Sequence, residues 1–192
     1  MLARDNPFST QRVERILCFD PQLSETSWEE IGDRWESLNR HASLVAAHGA
    51  GKSTFMDAFQ KRLEDSGHSV FRILLNQESN KLSDEQWDML GCCSQQIVML
   101  DGEEQLSHLA RRRFYRLTQS CSGLLISRHK PAKLAQLISL EPSMDLLLAC
   151  IEKLAPEHIN YLKPMLDGWW KQHHSNIREI LLCCYDSLQD VE

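Results

Sequence analysis

Residues 46 to 53 read Ala-Ala-His-Gly-Ala-Gly-Lys-Ser, and the hydrophobic pattern changes abruptly across them. Before this stretch, Ser43-Leu-Val-Ala-Ala47 is a short apolar run of strand character. After it, Phe55, Phe59 and Leu63 recur every four residues, the spacing of a helix that buries one face, and Gly67 is its natural stop. A strand that turns into a helix through Gly49 and Gly51 leaves few folds open to the chain. The loop must bend tightly, and without side chains in the way its backbone N–H groups can converge. The helix start beside Lys52 directs its positive end to the same point, so the segment is suited to an anion.

Further strand and helix signals alternate downstream. Ser69 to Leu75 is rich in β-formers, Gln96 to Leu100 and Gly123 to Ile126 are short buried-strand runs, and 135 to 140 supplies a fifth strand. Segments 83 to 93 and 103 to 118 have helical spacing, the first opened by the capping box Ser83-Asp-Glu-Gln86. This alternation predicts an α/β fold, a mostly parallel sheet between two helical layers. Near the start, Ser27 and Glu30 form another capping box, and Trp28, Ile31, Trp35 and Leu38 make an apolar stripe on a helix of about 28 to 40. Beyond Pro142 the spacing is helical throughout, with Met144, Leu147, Leu148 and Ile151 on one face, then 159 to 170 and 177 to 188. The expected division is an N-terminal extension packing on the core (1–42), an α/β core (43–141) and a small helical lid (142–192).

Composition excludes several classes. With 192 residues, 42% hydrophobic and 25% charged, the chain is an ordinary globular one, able to hold a core without disulfides or a structural metal. Lys and Arg number 21 against 27 Asp and Glu, a net charge of −6, which disfavours a general nucleic-acid coat while leaving room for a local basic patch. No apolar run approaches the roughly 20 residues of a membrane span, and MLARDNPFST lacks the apolar stretch of a leader, so a cytoplasmic protein is expected. The seven cysteines show no CxxC or Cys/His ligand spacing and read as reduced thiols.

Residues 46 to 53 fit the pattern [AG]-x-x-x-x-G-K-[ST], with Ala46 where Gly is more usual, and Ile97-Val-Met-Leu100 is an apolar strand that ends in Asp101. On these elements the chain resembles the P-loop NTPase superfamily. The resemblance implies that Ala47, His48, Gly49, Ala50, Gly51, Lys52, Ser53 and Thr54 cradle the phosphates of ATP, and that Ser53 and Asp101 hold Mg²⁺. After Asp101 comes Gly102-Glu-Glu-Gln105; Glu103 or Glu104 is positioned to activate water, Glu104 being preferred because an Asp-Gly turn reverses the chain before it. The alternative is that both acids are solvated at a helix start, which would leave binding as the main activity.

Other stretches extend the likeness. Gly123-Leu-Leu-Ile126 runs into Ser127-Arg-His129, similar to the ATPase branch with an additional strand in the sheet, where Ser127 or His129 would sense the γ-phosphate. Ser175-Asn-Ile-Arg178-Glu-Ile-Leu181 resembles the AAA-type G-[DN]-x-R-x-x-L lid start, with Ser in place of Gly, and assigns Arg178 to the phosphates. Asn6-Pro-Phe8 resembles short segments that lie against adenine in such proteins. Within the loop, His48 reads as an exposed or hydrogen-bonded side chain rather than a catalyst, and Trp169-Trp170 as lid core.

GTP is disfavoured, since Asn80-Lys-Leu-Ser-Asp84 has one residue too many for the guanine-reading motif. The basic run Arg111-Arg-Arg-Phe-Tyr-Arg116 is a solvated helix face, or serves a partner's phosphate or an adjoining subunit's nucleotide. The expected function is Mg-dependent ATP hydrolysis coupled to lid movement, with a protein partner or self-association. A non-hydrolysing, nucleotide-dependent regulatory or scaffold protein and a small-molecule kinase are the alternatives.

Overall fold

Strands that are apolar at nearly every position bury both faces of their sheet, and the tertiary structure follows from this. The computed structural model describes residues 5–131 and 133–189; residues 1–4, part of the stretch expected to lack a leader, lie outside the described residues. Preceding the sheet are α1 (Thr10–Ile16) and α2 (Trp28–Ser37). Then β1 (His41–Val45) leads through α3 (Lys52–Asp65) to β2 (Ser69–Leu74), α4 (Asp84–Gly91), β3 (Gln96–Asp101), α5 (His108–Leu117), β4 (Gly123–Arg128) and β5 (Gln136–Ser139). Three helices follow, α6 (Met144–Leu154), α7 (Ile159–Gln172) and α8 (Ile177–Gln189).

The five strands form one sheet in the order β2-β3-β4-β1-β5, and every neighbouring pair is parallel. Alternation along each strand sorts the side chains. Ile97 and Met99 of β3 join Ala42, Leu44 and Leu125 against α2 and α3, while Val98 and Leu100 join Leu124 and Ile126 against α4 and α5. The fold is therefore α/β, with helices on both faces of an all-parallel sheet.

A separate apolar cluster unites α6, α7 and α8 around Leu147, Ile151, Leu162, Leu166 and Ile180. Phe8 is sealed within it, and Val13 and Ile16 of α1 pack on it. The first 42 residues are thus shared between two cores: α1 belongs with the C-terminal helices, whereas Ile31 and Trp35 of α2 pack on the sheet. Asn6, also buried, donates from Nδ2 to Tyr185 O at 2.9 Å and accepts from Phe8 N at 2.9 Å, fixing the segment to α8.

Some boundaries differ from the sequence reading. The helix at 28 stops at Ser37 because Asn39 and Arg40 take left-handed φ values of 51° and 60°, and β1 begins at His41, ahead of residue 43. The stretch 103 to 118 is not one helix: a 3₁₀ turn, Glu103–Gln105, precedes α5, which Ser107 caps by accepting from Ala110 N. β4 continues beyond Ile126 to Arg128.

Parallel pairing places all the strands' carboxyl ends along one edge. The connection from β1 crosses one face through α3 toward β2, and the returns to β3 and β4 cross the other face through α4 and α5. These directions part beside β1 and β4, the kind of position at which parallel α/β sheets commonly bind ligands.

Candidate functional site

At the end of β1 the chain turns through Gly49 and Gly51, with φ of +71° and +83°, conformations that cost a side-chain-bearing residue strain. Ala50 is buried in the core under α3 and anchors the loop. Lys52, the first residue of α3, folds back on the loop: Nζ donates to Ala46 O at 2.9 Å and Ala47 O at 2.8 Å, and lies 3.1 Å from His129 Nδ1. Burial holds the Lys52 ammonium below its ordinary pKa, opposed by the charges of Glu104 and Asp101. Ser53 and Thr54 follow in the first turn of α3.

Asp101, 5% exposed, sits at the tip of β3, and β4 separates that strand from β1. Both carboxylate oxygens accept from hydroxyls: Ser53 Oγ donates to Oδ2 at 2.7 Å and Ser127 Oγ donates to Oδ1. Fully buried Ser127 also accepts from Gly102 N at 3.1 Å, so the end of β4 orients the aspartate that the sequence pairs with the loop. Arg72 Nη2 lies 3.6 Å from Asp101 Oδ2, and the same guanidinium pairs with Asp57 of α3. Sequence reasoning missed Arg72. Its one signal was a charge inside the otherwise apolar run Ser69 to Leu75.

The two glutamates face different surroundings. Gly102, at φ +87°, turns the chain so closely under Leu75 that a Cβ there would lie 2.3 Å from Leu75 O. Glu103 then enters a closed site, its carboxylate 2.8 Å from Arg111 Nε and 3.2 Å from Arg128 Nη1, with Tyr115 OH donating to it at 3.3 Å. Burial, then the charge on Glu103, pushes the Tyr115 hydroxyl up to about 12.

Glu104 instead reaches toward the loop, with Oε1 3.1 Å from His129 Nε2. Its Oε2 is shielded from solvent and has no hydrogen-bond partner among the described residues. As the Nε2–H tautomer His129 donates to Glu104 and accepts at Nδ1 from Lys52, while Ala46 O, 3.1 Å from the same Nδ1, takes its hydrogen bond from Lys52. The His48 ring lies against that of His129, tilted by 32° with centroids 3.7 Å apart. Partial desolvation, then the neighbouring His129 ring and the Lys52 ammonium, which both oppose a second positive charge, holds the His48 pKa below its ordinary value.

The start of α8 lies on the loop. A Cβ at Gly49 would fall 1.8 Å from Asn176 Oδ1 and 3.3 Å from Arg178 N, and Asn176 Oδ1 accepts from Glu179 N at 3.3 Å. Ser175 has φ of +63°, the conformation that the glycine of the resembled pattern would adopt freely. Arg178 is exposed, and its side chain makes no hydrogen bond or ion pair to the described residues. Phe8 and Asn6 are committed to the helical cluster, and Trp169 and Trp170 pack partly buried against it.

All seven cysteines are free thiols. Burial pushes Cys121 and Cys150 up to about 11 and Cys184 to about 12, opposite to the shift that activates a thiol. Among the described residues no group of three or more His, Cys, Asp or Glu is placed to hold a metal alone, and no helix is long and apolar enough to cross a membrane. The sequence matches no family model and no curated protein.

Proposed function

We propose that the chain binds ATP with Mg²⁺ at residues 47 to 54 and hydrolyses it, nucleotide state being coupled to the seating of α8 on the loop. One observation carries the reading: Ser53 Oγ and Asp101 Oδ2, 48 positions apart in sequence, meet at 2.7 Å beside a glycine loop and the start of a helix. Both are hard oxygen donors and fit Mg²⁺, which takes few protein ligands and completes its shell with water and phosphate oxygens. The ion, when bound, would neutralise charge that develops on the phosphates.

The chain's own groups supply the remaining chemistry. Lys52 exchanges the Ala46 and Ala47 carbonyls for phosphate oxygens, a stronger charge-assisted bond. The unpartnered Oε2 of Glu104 accepts a proton from the attacking water, while His129 fixes the other oxygen. Ser127 keeps Asp101 oriented, and Arg178, the second residue of the helix seated on Gly49, is placed for a lid function.

Replacing Lys52 by Ala is expected to abolish Mg²⁺-dependent ATP binding at the loop, and an unchanged Mg²⁺-dependent affinity would remove the reading. Glu104→Gln should retain binding and stop Mg-dependent phosphate release. A non-hydrolysing regulatory role is the second reading. It is favoured by the Glu104–His129–Lys52 chain, which ties the water-activating and phosphate-binding groups to one another. Phosphate release measured with and without Mg²⁺ separates the two, and sizing with a non-hydrolysable ATP analogue reads self-association.

A further inference from the structure

On the far side of the Glu103–Glu104 turn, α5 and the chain after β4 enclose a cleft of about 920 Å³. Five of the chain's 21 lysines and arginines line it (Arg111, Arg112, Arg116, Arg128 and Lys133) against one of its 27 acids, Glu103, in a molecule of net charge −6. Glu103 forms the floor, where its ion pairs hold Arg111 and Arg128 in place. One carboxylate against five cations leaves four positive charges unmatched. Arg112 and Arg116 stand one turn apart on the exposed face of α5, where like charges repel, and neither they nor Lys133 have an acidic partner among the described residues.

We propose that this cleft binds a small anion that carries several phosphate groups, at a site separate from the loop. The volume is that of a small-ligand pocket. Guanidinium forks chelate phosphate oxygens in pairs, and a compact polyphosphate brings enough charge to match the excess, which a single carboxylate would not. The buried Glu103 keeps the anion at the outer rim, between the α5 arginines and Lys133. This inference does not depend on ATP use at the loop.

Calorimetric titration of the Lys52→Ala full-length chain with inorganic tripolyphosphate, at low salt and without Mg²⁺, reads the cleft alone. One site per chain is expected, weakening as salt is raised. In that background Arg112→Ser with Arg116→Ser should weaken binding by about tenfold or more, as the loss of two charge-assisted contacts requires. Lys163→Ser with Lys171→Ser on α7 makes the same change in net charge and should leave the affinity within about twofold. Circular dichroism and thermal midpoint confirm that both variants fold, since all four side chains are exposed. Absence of binding, equal weakening in both double variants, or uptake only with self-association of the chain would overturn the proposal.

Discussion

Gly49 and Asn176 occupy one another's space: a Cβ on the glycine would stand 1.8 Å from the asparagine's Oδ1. The turn after β1 and the start of α8 therefore share a contact that only the hydrogen side chain permits. Gly49→Ala combines this overlap with a φ of +71° and is expected to destabilise by about 2–4 kcal/mol. Asn176→Ala alone loses the bond from Glu179 N, about 1 kcal/mol. In the double variant the losses should fall short of their sum by about 1 kcal/mol, because the clash is gone. Urea unfolding of the four proteins checks this, and strict additivity would mean that the two residues do not touch.

Ser175 holds a left-handed conformation, φ +63°, without the freedom of glycine. Ser175→Gly removes backbone strain of about 1–2 kcal/mol and costs somewhat less in unfolded-state entropy, for a net gain of about 0.5–1 kcal/mol. A rise in the urea midpoint with an unchanged m-value is the expected signature.

Adjacent glutamates should respond in different assays. Glu103→Gln leaves Arg111 and Arg128 without their buried counter-charge and is expected to cost about 3–5 kcal/mol. Glu104 is partly exposed, so Glu104→Gln should change stability by at most about 1 kcal/mol. Denaturation of both variants tests the contrast, and a large loss at Glu104 would contradict the partners assigned to it.

The depressed pKa of His48 makes a pH prediction. Between its ordinary value of 6.5 and its lower folded value, the unfolded chain binds more protons than the folded one, so stability falls as pH drops through that window. His48→Gln removes this contribution. The difference in thermal midpoint between wild type and variant should therefore shift in the variant's favour as pH falls below 6.5, and a constant difference would show that His48 does not titrate differently in the folded and unfolded chain.

Much of the architecture was legible because it is written in local pattern. The four-residue spacing of Phe55, Phe59 and Leu63, the capping boxes at Ser27 and Ser83, and the apolar run Ile97 to Leu100 each select an element through interactions within a few residues. The same locality explains the misread stretch after Asp101. Helical spacing from 103 to 118 gives no sign that Gly102 turns left-handed under Leu75, nor that Glu103 is drawn into a buried site.

By itself, then, the sequence determined the kinds of element, their order and the loop beside Lys52, since dihedral preference and hydrophobic period act over one or two turns. Only tertiary structure decided that β4 stands between β1 and β3, that Ser127 holds Asp101, that Glu103 and Glu104 face opposite ways, and that Asn176 rests on Gly49. Those relationships join residues far apart in the chain, and they form when packing and charge pairing across the whole molecule select one arrangement among many that local preference allows.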